Sequence, residues 1–159
     1  MRYKVAPEPA DIAVLRAVHG AVPLVPASTD DCCDRVRERT AVGTRDDAAV
    51  WLGFLDALGL AARTDRGYRR ERRAVDPAEL AGPFRERVFL VDEALSTLGA
   101  ADDPLTAGAV FARVREEVPR WERNRHGDWT AVWRERVDRL LAWAVAFGLA
   151  ERVEEGYVA

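Results

Sequence analysis

WLGFLDALGLAARTDRGYRR, residues 51–70, is answered 89 positions later by LLAWAVAFGLAERVEEGYVA, residues 140–159. At that offset Leu52/Leu141, Ala57/Ala146, Gly59/Gly148, Leu60/Leu149, Ala61/Ala150, Arg63/Arg152, Gly67/Gly156 and Tyr68/Tyr157 coincide. Each copy reads as an apolar helix, a glycine stop, a short strand, a glycine turn and a second strand. A residue just past a helix end commonly needs a positive φ, which glycine adopts without steric penalty. In the associated Schellman arrangement the next residue packs back on the helix, which pairs Leu60 with Leu55 and Leu149 with Ala144. Asp65-Arg66-Gly67 and Glu154-Glu155-Gly156 then suit hairpins built from a type I turn and a glycine bulge.

Helix, glycine cap and hairpin in this order resemble the recognition helix and wing of a winged helix-turn-helix domain. The likeness extends upstream, where Arg113-Val114-Arg115-Glu116 repeats Arg35-Val36-Arg37-Glu38 and Pro104-Leu105 repeats Pro23-Leu24. Pro104-Leu105-Thr106-Ala107 looks like that family's strand-to-helix junction, with Thr106 as N-cap. The implied fold class is mainly α with small β-hairpins (α+β): two tandem winged helix-turn-helix units. The boundaries expected are 1–73 for the first unit, 74–83 for a linker and 84–159 for the second unit.

Composition agrees with two small domains, since 159 residues are enough for two and the repeat decides for two. Each lies near the lower size at which a core suffices. The start, MRYKVAPEP, lacks the apolar segment of a signal peptide, and no apolar run reaches the ~18 residues of a membrane span. A soluble, cytoplasmic protein is expected, with no membrane partner. Lys4 is the only lysine among 24 basic residues, and Ile12 the only isoleucine, a bias that points to a GC-rich genome. A net charge of −3 argues against indiscriminate coating of nucleic acid.

Taken in order, Tyr3 and Val5 suit a strand that Pro7 and Pro9 stop. Asp11 to His19 reads as the first helix, ended by Gly20, with Ile12, Leu15 and Val18 on one face. Ala21–Pro26 supplies a short strand, and Ser28 or Thr29 caps the helix through Cys32 to about Thr40. A third helix runs from about Arg45 to Leu58. In the linker, Asp76-Pro77-Ala78-Glu79 carries the cap signature of a short helical turn. Pro83 then opens a helix reaching Leu98, with Val88, Val91, Leu95 and Leu98 inward. Pro119 stops the helix that Thr106 starts. Arg120–Asp128 is a polar loop, after which Asp128 or Thr130 begins a long helix to Phe147.

Arg63, Arg66, Arg69, Arg70, Arg72 and Arg73 fall within eleven residues, opposed only by Asp65 and Glu71. The resemblance implies that such a wing touches DNA backbone, and the planar guanidinium suits phosphate. A solvated hairpin paired with nearby acids is about equally compatible with this run. The second wing, with Glu151, Glu154 and Glu155 against Arg152, should repel phosphate.

A helix that reads bases must present hydrogen-bonding side chains outward. The outward positions of the first copy are instead Phe54, Gly53, Val50 and Ala49, preceded by Asp46 and Asp47. Those of the second are Trp143, Ala142, Arg139 and Asp138. A helix apolar all round is buried all round. Gly53, Phe54, Ala142 and Trp143 are therefore expected at an interface with the other repeat or with a second chain, as in a homodimer.

Trp121, Trp129 and Trp133 flank Arg120, Arg123, Arg125 and His126. Stacking on single-stranded bases is conceivable there, but tryptophans closing a core edge under cation–π arginines is the favoured reading. Of the vicinal pair Cys32-Cys33 on a helix, at most one should be core. His19 and His126 do not complete a zinc set with them. No phosphate loop, nucleophile elbow or zinc-protease motif is present, so neither an enzyme, a cofactor nor a metal is expected. Two functions follow: a DNA-associated transcriptional regulator contacting double-stranded DNA through the first wing, or a protein–protein interaction scaffold whose recognition-helix faces are committed to protein.

Overall fold

A computed structural model describes residues 5–159, which divide into two units at Val88 and Phe89. Tyr3 lies outside the described residues, and Val5 to Pro9 form no strand. In the first unit α1 (Ile12–Ala21), α2 (Thr29–Arg39) and α3 (Arg45–Leu58) precede the hairpin of β1 (Ala61–Thr64) and β2 (Gly67–Arg70). The Ser28 hydroxyl accepts from the Asp31 amide and the Thr44 hydroxyl from the Asp47 amide, each at 3.1 Å. These caps, with Asp30-Asp31 and Asp46-Asp47 in the first turns, satisfy free amides and complement the helix dipoles. Gly20 does not end α1; the helix runs one residue further and closes where the Val22 amide meets the His19 carbonyl.

Both expected glycine caps form. Gly59 and Gly148 each have φ 77°, and the following leucine amides reach back to Leu55 O at 2.9 Å and Ala144 O at 2.8 Å. Two glycine-dependent hairpins follow. In the first, Thr64 pairs with Gly67 and Arg63 with Tyr68; in the second, formed by β3 (Glu151–Val153) and β4 (Gly156–Val158), Val153 pairs with Gly156. Gly67 and Gly156 have φ of 114° and 142°. The strand expected at Ala21–Pro26 shrinks to one bridge, in which Ala27 and Tyr68 exchange both backbone hydrogen bonds; Leu105 and Tyr157 do the same in the second unit. A Cβ on Gly67 would run into the Ala27 carbonyl, and one on Gly156 into the Leu105 carbonyl. Glycine is thus required twice at each site, for its φ and for the close approach of a third chain segment.

Residues 77–87, read from sequence as the end of a linker and the opening of the second unit, form an eleven-residue helix α4 that belongs to the first. Asp76 caps it through the Ala78 amide at 3.1 Å, with Pro77 in the first turn. Leu80 and Phe84, one turn apart, are its buried residues. Phe84 sits edge-on to Phe54 of α3 with ring centroids 6.2 Å apart, and Phe54 in turn sits edge-on to Trp51 at 6.1 Å. Pro83 is tolerated inside α4 because the bond it removes is to the carbonyl of exposed Glu79, where water can replace it.

The helix expected from Pro83 to Leu98 is broken. α4 stops at Arg87, Leu90 adopts φ 71°, and α5 (Val91–Ala100) begins anew. A left-handed leucine is unfavourable, but Leu90 and Val91 are fully buried, which offsets the strain. α6 (Ala107–Val114), capped by Thr106 at 3.1 Å, continues as one 3₁₀ turn (Arg115–Glu117), so it ends before Pro119. The Arg120–Asp128 segment contains a single helical turn, α7 (Arg120–Arg123). Asp128, not Thr130, caps α8 (Trp129–Ala146). Among the described residues no helix is long and apolar enough to cross a membrane.

Gly67→Ala and Gly156→Ala should each lower the urea midpoint of unfolding, because strain and backbone collision add. An alanine tolerated at either position would contradict the three-segment packing. Phe84→Ala should cost about 3 kcal/mol in the same measurement, the range for emptying a buried aromatic site. A change within experimental error would mean that α4 does not seal α3.

Candidate nucleic-acid interface

The six arginines around the first wing do not form one surface. β2 alternates, so Tyr68 and Arg70 share one face and Arg69 the other. Tyr68 is buried, and the Arg63 guanidinium lies over its ring at 5.9 Å. Burial pushes the Tyr68 phenol above its usual range, partly countered by Arg63. Arg66 is exposed at the turn, where its amide donates to Thr64 Oγ1. Arg69 is half-buried and pairs with Glu71 at 3.0 Å. Arg70 lies against the end of α1, with Nη1 at 3.5 Å from the Gly20 carbonyl.

Past the hairpin the chain is fastened to α1. The His19 ring nitrogen Nε2 is 2.9 Å from the Glu71 carbonyl, the Arg16 guanidinium donates to the Val75 carbonyl at 3.4 Å, and Val75 is buried. Arg72 and Arg73 stand exposed on this strap. Nη1 of Arg73 comes within 3.0 Å of where a Cβ on Gly59 would be, near the carbonyl end of α3, where a cation is favoured. His19 and Arg16 are thus positioning residues, a role that sequence reasoning gave to neither. Their partners lie 52 and 59 residues away, and only the fold brings them together.

The α3 face is closed. Gly53 and Phe54 are buried, the latter against Phe84, while Ala49 and Val50 are half-buried. At its N-terminus Arg45 is paired with Asp30, which holds its guanidinium above the ordinary arginine range, and Asp46 and Asp47 are exposed. Asp30, Asp31 and Asp34 on α2 are exposed as well. A duplex laid across these helix starts would meet carboxylates and no free base-reading donor.

In the second unit Trp143 is buried and stacked on Phe147 at 5.6 Å, while Ala142 is half-buried. Arg139 pairs with Glu135 of its own helix at 2.9 Å. Glu151, Glu154 and Glu155 are exposed on the wing, and Arg152 lies over Tyr157 at 5.4 Å. Trp129 is covered by Arg123 at 4.6 Å and Arg115 at 5.2 Å, and Arg136 lies over buried Trp133 at 4.7 Å. Those two tryptophans close the core beneath arginines, whereas Trp121 is 55% exposed. Glu122 is only 2% exposed. Arg136 lies 3.4 Å from its carboxylate, with His126 and Arg125 each at 3.7 Å. Desolvation lowers the Arg136 pKa, with Glu122 opposing that shift. Arg136, 19% exposed, answers this buried carboxylate from within the fold, while Arg125 reaches it from the surface.

Cys32 and Cys33 are both fully buried, which corrects the expectation that only one is core. α2 is packed by α1, α3 and β2, so successive residues on it both find cover. Burial raises both thiol pKa values, making them poor nucleophiles. Among the described residues no three His, Cys, Asp or Glu side chains are placed to hold a metal ion.

Comparison with known families gives one match: the family model described as the halobacterial double winged helix domain covers residues 1–159. No curated protein and no solved structure matches the chain. Two Schellman-capped helices, each followed by a hairpin bridged to an upstream segment, are what a double winged helix requires, and the chain belongs to the halobacterial double winged helix domain family.

Proposed function

We propose that this protein is a DNA-associated regulator that contacts the phosphate backbone through the first wing and the strap behind it, without base readout by α3. The observation that carries this reading is the exposure of Arg66 and Arg72, neither of which has an acidic partner among the described residues. Arg63 and Arg73 are exposed beside them in sequence. Arg69 and Arg70 contribute less, since one is paired with Glu71 and the other is drawn toward Gly20. Phosphate contacts of this kind position a protein on a duplex and carry no sequence information. The acidic second wing is expected to stay clear of the backbone.

The second reading is a protein-interaction scaffold, and the burial of Gly53, Phe54 and Trp143 takes those residues out of it. Self-association through Phe54 would first have to lift α4 from α3, so a scaffold role would fall to surfaces still open. Leu24 at 42% and Val25 at 75% exposure are the apolar ones in the first unit.

Fluorescence anisotropy with a generic duplex separates the two. Four phosphate contacts give a log–log salt slope of about −3.6, a loss on the order of 100-fold between about 50 and 200 mM salt. Replacing Arg63, Arg66, Arg72 and Arg73 together by alanine should abolish binding while leaving the circular dichroism spectrum unchanged. No binding at low salt would leave the scaffold reading, and binding that survives the fourfold replacement would put the duplex contact elsewhere and overturn the wing.

A further inference from the structure

We propose that the cleft at the foot of the first wing, lined by His19, Leu24, Arg70, Glu71, Arg72 and Arg73, seats a phosphate group, either of a nucleic-acid backbone or of a small phosphorylated anion. As a duplex contact it rests on the function proposed above, and it places the main contact at the foot of the hairpin instead of its tip.

Three arginines line this one cleft, and its only carboxylate is already engaged: Glu71 is held by Arg69 at 3.0 Å. The cleft therefore keeps an excess of positive charge. Its backbone is preorganised. The Glu71 amide donates to the Leu60 carbonyl at 3.0 Å, its carbonyl faces His19 Nε2 at 2.9 Å, and the Arg73 amide turns back onto the same carbonyl at 3.0 Å. With Val75 buried beyond, Arg72 and Arg73 are carried on a backbone segment fixed at both ends, so a ligand has only their exposed side chains to order.

Arg70 supplies the most specific sign. Its Nε is shielded from solvent and has no hydrogen-bond acceptor, and its Nη1 reaches the Gly20 carbonyl only at 3.5 Å. A buried donor on a charged group is costly to leave unmade. A tetrahedral oxyanion entering the cleft would pair with the exposed Arg72 and Arg73 guanidiniums in the planar, forked geometry that arginine offers, and a turn of the Arg70 side chain toward it would give Nε the acceptor it lacks. Leu24 provides an apolar wall on one side of the open cleft.

Two double variants separate foot from tip: Arg72→Ala with Arg73→Ala, and Arg63→Ala with Arg66→Ala. Each is tested with inorganic pyrophosphate by thermal denaturation and with a short generic duplex by anisotropy, and the ligand-free melting temperature reports that each variant is folded. The foot variant should lose the pyrophosphate-induced stabilisation, and its duplex salt slope should fall by about 2. The tip variant should keep the pyrophosphate response. Foot-dependent duplex binding without a pyrophosphate response identifies the backbone as the ligand. A foot-dependent pyrophosphate response without duplex binding identifies a free phosphorylated anion, and it removes the DNA reading while the cleft stands. Duplex binding lost only in the tip variant, with no foot-dependent pyrophosphate response, overturns the cleft but not the proposed function. If neither ligand depends on the foot pair, the inference is wrong.

Discussion

Phe84 lies edge-on against Phe54, and that contact determines what α3 is able to do. A winged-helix unit ordinarily leaves its third helix free on the side that enters a groove. Here that side carries glycine and aromatic residues, which water does not favour, and α4 folds over it with Leu80 and Phe84. Removing two aromatic rings from water is worth several kcal/mol, so the closed arrangement is the resting state of the unit. Every functional consequence follows from this closure. With the reading face sealed and the helix starts acidic, the wing and the strap carry the densest run of exposed arginines among the described residues of the first unit.

The two halves keep the same scaffold and differ in charge. Gly59 and Gly148 have the same φ, and Gly67 and Gly156 each leave room for a carbonyl from an upstream segment. These requirements are geometric, and they survive in both copies because any side chain there would collide or strain. The wing tips carry no such requirement. One turn is Asp65-Arg66 beside Arg63 and Arg69, the other Glu154-Glu155 beside Glu151. Backbone geometry is held in common while surface chemistry has separated.

Much of the scaffold was legible in the sequence because glycines and caps act locally. The paired glycines, Thr106 and Asp76 each foretold a bond that forms. The misreadings came where long-range packing decides. Pro83 looks like the opening of a new helix, yet Leu80 and Phe84 share a face that α3 needs, and the Asp76-Pro77 cap signature already marked a helix start there. The apolar spacing of Val88, Val91, Leu95 and Leu98 runs unbroken across Leu90, so periodicity could not reveal the reversal of φ. Only one of Cys32 and Cys33 is expected in the core because helical neighbours diverge, but α2 is covered on more than one side and both are buried. The arginine run was plain, while its division into tip and foot depends on strand alternation and on His19 meeting Glu71.

The most direct test of the closed α3 face is backbone amide NMR during titration with a short duplex at low salt. Shift changes should concentrate between residues 63 and 73, with the α3 amides of residues 46–54 unmoved. Shifts centred on α3, with those of the wing unchanged, would show that the helix opens to the groove and would contradict the account.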